Sequence, residues 1–259
     1  MIWVLAGTQD GREIASVLAT ERKETVLVTV VSEYGKRLAE LPNVKVLVGS
    51  LDGAAMRDVI KQYQITLLVD ASHPYARQVT ETVRQVCVEL ATTYVRYERP
   101  PVPLPDYDKL VVVSSAEAAA KAASTLGKVV FLTTGSRTLA AFAQSPTLRN
   151  HRLIARVLPD AAVIGQCEAL GFTPKDIVAL QGPFSEELNC ALFQQYEADV
   201  IVMKNSGVIG GSDSKLAAAM KLQLAVVVIE RQMTSVKENS SVFSEIEPLV
   251  AYINQCKKN

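Results

Sequence analysis

At 259 residues the chain is too long for one small domain and suits two α/β units of roughly 110–150 residues each. Lys+Arg and Asp+Glu balance at 27 each, so no global field draws it to nucleic acid or an acidic membrane, and an anionic ligand has to be held by a local cluster. No apolar run approaches the ~20 residues of a membrane span, and the first residues lack a signal-peptide pattern. Cys87, Cys167, Cys190 and Cys256 are scattered, with no C-x-x-C pair, which suits free core thiols in a reducing, cytoplasmic setting.

Short apolar runs alternate with segments of helical period. Strands are expected at 2–6, 26–31, 44–48, 67–71 and 93–97, then at 110–114, 129–133, 152–157, 177–181, 200–203 and 225–229. Their Val/Ile/Leu runs are continuous rather than alternating, which marks strands covered on both faces. The segments between read as helices, one over about 74–91, where Val79, Val83, Val86 and Leu90 recur at helical spacing. Strand–helix repetition of this kind implies parallel sheets with right-handed crossovers. The proline-rich stretch "RPPVPLPDYD" (99–108) can sit in neither a helix nor a central strand. It divides the chain into 1–107, a dinucleotide-binding unit, and 108–259, a second unit supplying the substrate side. The expected fold is α/β: two doubly wound, Rossmann-like parallel-sheet domains with an interdomain cleft.

In "LAGTQDGREIA" (5–15) a strand runs through Gly7 and Thr8 into Gly11, and a helix begins near Asp10. Backbone N–H groups at such a helix start can take up a pyrophosphate, and Arg12 would reinforce the site; a plain tight turn fits the same stretch. In "VVSEYGKR" (30–37), Ser32, Lys36 and Arg37 suit a ribose 2′-phosphate and Glu33 suits the hydroxyl; a solvated helix start remains the alternative. "VDASHPYA" (69–76) places Asp70, Ser72, His73 and Tyr75 at the carboxyl end of the fourth strand, where open α/β sheets bind ligands. Pro74 suits the first helical position, making Ser72 or His73 the expected N-cap.

In the second half, "TTGSRTL" (133–139) repeats the strand–glycine–helix pattern, and Ser136 with Arg137 could hold a carboxylate. "ALQGPFSEELN" (179–189) reads as a helix capped by Ser185, with Phe184 in the core. "VMKNSGVIGGSDSKLAAAM" (202–220) delivers Lys204, Asn205, Ser206 and Gly207 from a strand end, then a flexible glycine loop and a helix capped by Ser212 or Asp213 and carrying Lys215. It reads as an anion-gripping lid. No His or Cys cluster has metal-ligand spacing.

Taken in order, "AGTQDGREIA", "DASHPYA", "RYERP", "FLTTGS", "ARVLP", "GPFS", "KNSG" and the "KLAAA" helix resemble the precorrin-6A reductase family, including its cobalt-precorrin-6A branch, of vitamin B12 (cobalamin) biosynthesis. One departure is Gln181, where the family pattern has an arginine before Gly182-Pro183-Phe184. The resemblance implies an oxidoreductase that uses NADPH or NADH to reduce a ring-system double bond of precorrin-6A or cobalt-precorrin-6A. "ARVLPDA" and "ALQGPFS" lie nearer the cobalt-handling, anaerobic branch. The tetrapyrrole substrate carries acetate and propionate groups, for which Arg99, Arg137, Arg156, Lys204 and Lys215 are spaced across both halves. The cofactor falls to Gly7, Thr8, Gly11, Arg12, Ser32 and Ser72, and the proton source to His73 or Tyr75 with Asp70 as orienter. No metal, membrane or nucleic acid is implied, and other enzymes of the pathway are the natural protein partners.

Two other readings share the fold. A non-catalytic dinucleotide sensor would keep the 7–12 loop but need no cationic cluster in the second half. Another Rossmann-fold small-molecule oxidoreductase should show a Tyr-x-x-x-Lys pair, and this chain has none.

Overall fold

In a computed structural model that describes residues 1–231 and 241–256, the apolar runs become strands of two separate six-stranded sheets. Along the first stretch of chain lie β1 (Ile2–Leu5), α1 (Gln9–Ser16), β2 (Val26–Val30), α2 (Glu33–Ala39), β3 (Val44–Val48), α3 (Gly53–Gln62), β4 (Leu67–Asp70), α4 (Arg77–Glu89) and β5 (Thr93–Tyr97). The next stretch carries β6 (Leu110–Val113), α5 (Ala116–Leu126), β7 (Val129–Leu132), α6 (Leu139–Ala143), β8 (Arg152–Val157), α7 (Ala161–Ala169) and β9 (Ile177–Ala179). It continues through α8 (Glu186–Gln195), β10 (Val200–Lys204), α9 (Ser212–Lys221) and β11 (Ala225–Ile229), and β12 (Ser241–Phe243) and α10 (Ile246–Cys256) close the chain.

Every strand pair is parallel. The first sheet runs β3-β2-β1-β4-β5-β12 and the second β9-β8-β7-β10-β11-β6. Counting from β1 in one and β7 in the other, both have the doubly wound order 3-2-1-4-5-6. The sixth position is filled crosswise. After β5 the chain supplies β6 to the second sheet, and after β11 it returns with β12 for the first. Residues 1–100 with the segment carrying β12 and α10 thus form one compact unit, and residue 101 through β11 the other. The expected second domain, 108–259, therefore does not run to the C-terminus: β12 pairs with β5, Val242 opposite Arg96.

Strand periodicity explains both cores. In β1, Ile2 and Val4 join a cluster with Ile14, Leu18, Leu249 and Ile253, while Trp3 and Leu5 join Met56, Ile60, Val83 and Val86 on the opposite face. Both faces are buried, so the strand needs no polar alternation. In the second unit Phe131, Ile154, Met203 and Val228 pack with Phe193 and Leu216 of α8 and α9, and α5 packs Ala119, Ala120 and Ala123 against β10 and β11.

Candidate functional site

In each sheet the crossovers reverse direction beside the first strand, so the loops leaving the first and fourth positions part at their carboxyl ends. This is the switch point at which open α/β sheets bind ligands. In the first unit those loops are residues 6–8 and 71–76; in the second they are 133–138 and 205–211.

The first switch point is tied together by Thr8. It caps α1, accepting from Gly11 N at 3.2 Å, and its hydroxyl donates to Ala71 O at 3.1 Å. Gly11 is a packing glycine: a Cβ there would lie 2.7 Å from Ala6 Cα and 3.2 Å from Ala71 Cβ, so α1 could not seat so close to the sheet. Gly7 is exposed, with open space where a Cβ would project. Arg12 is half-buried one turn into the helix.

Two buried ion pairs flank this loop. Asp10, in the first turn of α1, is paired to Arg99, and its other oxygen, Oδ1, is buried without a hydrogen-bond partner. Asp70 is wholly buried at the end of β4. Its Oδ1 meets Arg96 Nη1 at 2.9 Å and Ser72 N at 3.0 Å, and its Oδ2 accepts from Tyr94 OH at 3.0 Å. Burial and the Asp70 charge push the Tyr94 phenol well above its ordinary value. Arg96 also donates to Ser72 Oγ at 3.0 Å and to Glu98. The two arginines of "RYERP" are thus counter-charges to Asp70 and Asp10, and Arg99 is not among the cations set out for a substrate. Asp70 has no exposed surface and anchors the 70–72 turn through Ser72 N. Ser72, expected at the cofactor, gives its hydroxyl to the same network.

The expected cap at Ser72 or His73 is not formed. α4 starts at Arg77, its N-cap Ala76 makes no side-chain cap bond, and Pro74 and Tyr75 occupy a turn closed by Ala76 N donating to His73 O at 2.7 Å. His73 and Tyr75 come together at the tip, rings 5.8 Å apart, with Tyr75 N donating to His73 Nδ1 at 3.3 Å. With Nδ1 as acceptor, the neutral ring carries its proton on Nε2. Ser32, at the end of β2, caps α2 by accepting from Gly35 N, and Lys36 lies 3.9 Å from Glu33.

A nicotinamide dinucleotide fits this end. The α1 N-terminus supplies amides for a diphosphate, Gly7 leaves room beside the backbone, the Asp10 charge is cancelled by Arg99, and Asp10 Oδ1 is an acceptor awaiting a donor.

The second switch point is built differently. Gly135, at φ +78°, turns the chain after β7 into a short 3-10 turn holding half-buried Ser136 and exposed Arg137. Lys204, at the end of β10, donates from Nζ to Thr134 O at 2.8 Å. Burial, with Arg137 nearby, lowers its pKa to about 8. Lys204 and exposed Arg137 are thus close enough to repel each other.

The glycine loop is a folded turn rather than a flexible lid. Ser206 N donates to Ser212 Oγ at 2.9 Å, Ser212 Oγ reaches Lys204 O, and Gly207 and Gly211 take positive φ values of 81° and 64°. The α9 cap is Gly211, not Ser212 or Asp213, because Ser212 is sealed inside by those bonds. Ser206 and Lys215 are buried. Asn205, expected at the substrate, pairs with the Val102 backbone through both Oδ1 (2.9 Å) and Nδ2 (2.7 Å), fastening the proline-rich segment to this loop.

Sequence inspection missed the apolar surface here. Leu158, Leu180, Val208 and Ile209 are all exposed in segments that follow the carboxyl ends of β8, β9 and β10. Apolar surface with cations among it suits a flat ring system bearing acidic arms. Among the described residues no group of His, Cys, Asp and Glu could hold a metal, and no helix is long and apolar enough to cross a membrane.

Residues 1–254 match the family described as Precorrin-6x reductase CbiJ/CobK. The chain is 38% identical to cobalt-precorrin-6A reductase of Priestia megaterium, over 99% of this chain and all of that one. It is 37% identical to the cobalt-precorrin-6A reductase of Methanothermobacter thermautotrophicus, over 96% and 82%. Identity to the precorrin-6A reductase of a Sinorhizobium species is 30%, over 89% and 85%. Among solved structures, CobK precorrin-6A reductase superposes with a TM-score of 0.80 over 98% of this chain and 96% of its own, at 22% identity, which shows a shared fold.

Proposed function

The chain belongs to the precorrin-6x reductase family, and from that premise we propose that it reduces a ring double bond of precorrin-6A in cobalamin biosynthesis, in the cobalt-containing form, with NADPH or NADH. The observation that carries this reading is the contrast between the two switch points. One offers neutral backbone and small polar groups; the other gathers Lys204 and Arg137. Higher identity to cobalt-precorrin-6A reductases than to the Sinorhizobium protein supports the cobalt form.

In this reading Gly7 and Thr8 at the α1 N-terminus, with Arg12, would hold the diphosphate, Gly11 lets the helix approach the sheet, and Ser32, Lys36 and Arg37 would address the adenosine ribose. The cofactor supplies a hydride. The chain's own share is to hold the ring, exclude water and deliver one proton. His73, giving up a proton as the imidazolium, is the first candidate for that proton and Tyr75 the second. Ser136, Arg137, Lys204, Ser206, Gly207 and Lys215 hold substrate carboxylates. Cys87, Cys167, Cys190 and Cys256, all free thiols, suit the cytoplasm, where the nicotinamide pool also lies.

The test is a spectrum of the tetrapyrrole during incubation with each cofactor, using the cobalt-containing and metal-free substrates in turn. We expect cofactor-dependent bleaching, fastest with the cobalt form; no spectral change with either cofactor contradicts the function. In the same assay His73→Ala should lower turnover about 10²–10⁴-fold with cofactor affinity intact. Normal single-turnover rates across pH would pass the proton to Tyr75 or to water.

A further inference from the structure

Among the described residues Arg156 is the one buried arginine of the second unit, and it breaks the pattern of its strand. Residues two apart on a strand share a face, so Arg156 follows Ile154 onto the face that packs against α8 and α9, where an apolar side chain is expected. It is only 6% exposed. Unlike Arg96 and Arg99, it has no carboxylate partner among the described residues. One nitrogen, Nη1, donates to Asn189 Oδ1 at 2.7 Å. The guanidinium lies 4.3 Å from the Phe184 ring centroid and 5.8 Å from that of Phe131. Burial without a counter-charge lowers its pKa to about 10. Among the described residues its Nε and Nη2 make no hydrogen bond, which leaves that edge of the fork without a protein partner.

The surroundings hold the fork in one orientation. Asn189 is wholly buried and anchored by Nδ2 donating to Ser185 O at 2.9 Å. Phe184 is pinned through its carbonyl, which accepts from Ser214 Oγ of α9 at 2.9 Å. Gly182 leaves room for the ring: a Cβ there would lie 2.9 Å from it. A buried cation kept without an anion costs stability. A fork pre-oriented by stacking and by one amide is the arrangement that binds a carboxylate bidentately.

We propose that Arg156, stacked on Phe184 and braced by Asn189, is a built carboxylate clamp that takes one acidic arm of the substrate through Nε and Nη2. It is a specificity-determining residue, joined to α9 through the bonds of Asn189 and Phe184 to Ser214. The proposal rests on the functional reading above for the identity of the acid, and its test is separable from that reading.

The probe is uroporphyrin, a stable tetrapyrrole with acetate and propionate arms, titrated by fluorescence into the parent, Arg156→Lys and Arg156→Met. The parent should bind it. Affinity should fall about tenfold or more in Arg156→Met, and several-fold in Arg156→Lys, which keeps the charge and loses the fork and the stacking. The melting temperature of Arg156→Met should stay near the parent's, because losing an unpaired buried charge offsets losing the Asn189 bond. Equal affinity in all three proteins, or no binding by the parent, overturns the clamp. So does a lowered melting temperature with affinity unchanged, the outcome of a purely structural arginine. Should Arg156→Met fail to fold, the Lys variant decides alone. A parent that reduces neither form of precorrin-6A overturns the functional reading, while the uroporphyrin affinities still judge the clamp.

Discussion

In the first unit, Arg96 and Arg99 are 5% and 7% exposed and close onto Asp70 and Asp10; in the second, Arg156 is 6% exposed and meets only an amide oxygen and two aromatic rings. Strand order and parallel pairing are shared, so the difference is not one of architecture. It lies in what each sheet's carboxyl end is prepared to receive. The first unit closes its two buried arginines onto carboxylates, and in the proposed reading its backbone amides and small polar groups take the ligand. The second holds Arg156 with no carboxylate among the described residues, and in the proposed reading an acid of the ligand completes it.

The comparison breaks most severely where the units borrow strands. Deleting residues 231–259 removes β12 and α10, and with them Leu249, Val250 and Ile253 from the first unit's core. At about 1.5–3 kcal/mol per buried side chain, the loss is comparable with the stability of a whole domain. Trp3, the chain's single tryptophan, is fully buried in the first unit and bonded to Thr29 Oγ1, so it reports on that unit alone. Its emission should shift to that of exposed indole in the truncated chain. Native emission there would show that the first sheet stands without its sixth strand.

Removing one charge from each unit sharpens the contrast. Asp70→Asn leaves Arg96 with Glu98 as its one described carboxylate partner and should cost about 3 kcal/mol in chemical denaturation, the low end for a broken buried pair. Arg156→Met removes a cation that has no anion and should leave stability nearly unchanged. Similar losses for both would erase the distinction between paired and unpaired arginines.

A smaller effect is expected at Lys204. Lys204→Ala should weaken substrate binding by about 1–3 kcal/mol, as for a charge-assisted hydrogen bond, with cofactor affinity untouched. Because the Lys204 pKa is lowered from 10.5 to about 8, kcat/KM should fall as pH rises through about 8, and Lys204→Arg should remove that limb. Stability runs the other way. Below pH 8 the charged, half-buried lysine opposes folding in full; between about 8 and 10.5 the unfolded chain holds the extra proton, so this contribution to stability grows with pH. A kcat/KM flat from pH 7 to 10 in the parent would remove Lys204 from the binding of substrate.

The comparison also separates what a linear reading reaches from what it does not. Eleven strands were legible because doubly covered strands are continuous apolar runs, as in "VLVTV" and "AVVVI". β12 was not: "SVF" is three residues long, and its partner β5 lies far back in the chain. The 69–76 cluster was legible as polar side chains gathered at a strand end, whereas the cap was misread because Pro74 serves a turn equally well. Arg99 and Arg156 look alike in sequence. That one closes on Asp10 and the other on no acid is a property of packing, visible only once α1 and α8 are in place. Asn205 likewise read as a ligand, and its pairing with Val102 spans a hundred residues of sequence.

The central claim is the division of labour between the two switch points, and hydrogen-exchange mass spectrometry of the intact protein tests it most directly. NADPH alone should protect peptides covering 6–12, 32–37 and 71–76, and the tetrapyrrole alone those covering 134–138 and 204–215. Protection of the second set by the nucleotide, or of the first set alone by the tetrapyrrole, would contradict the account.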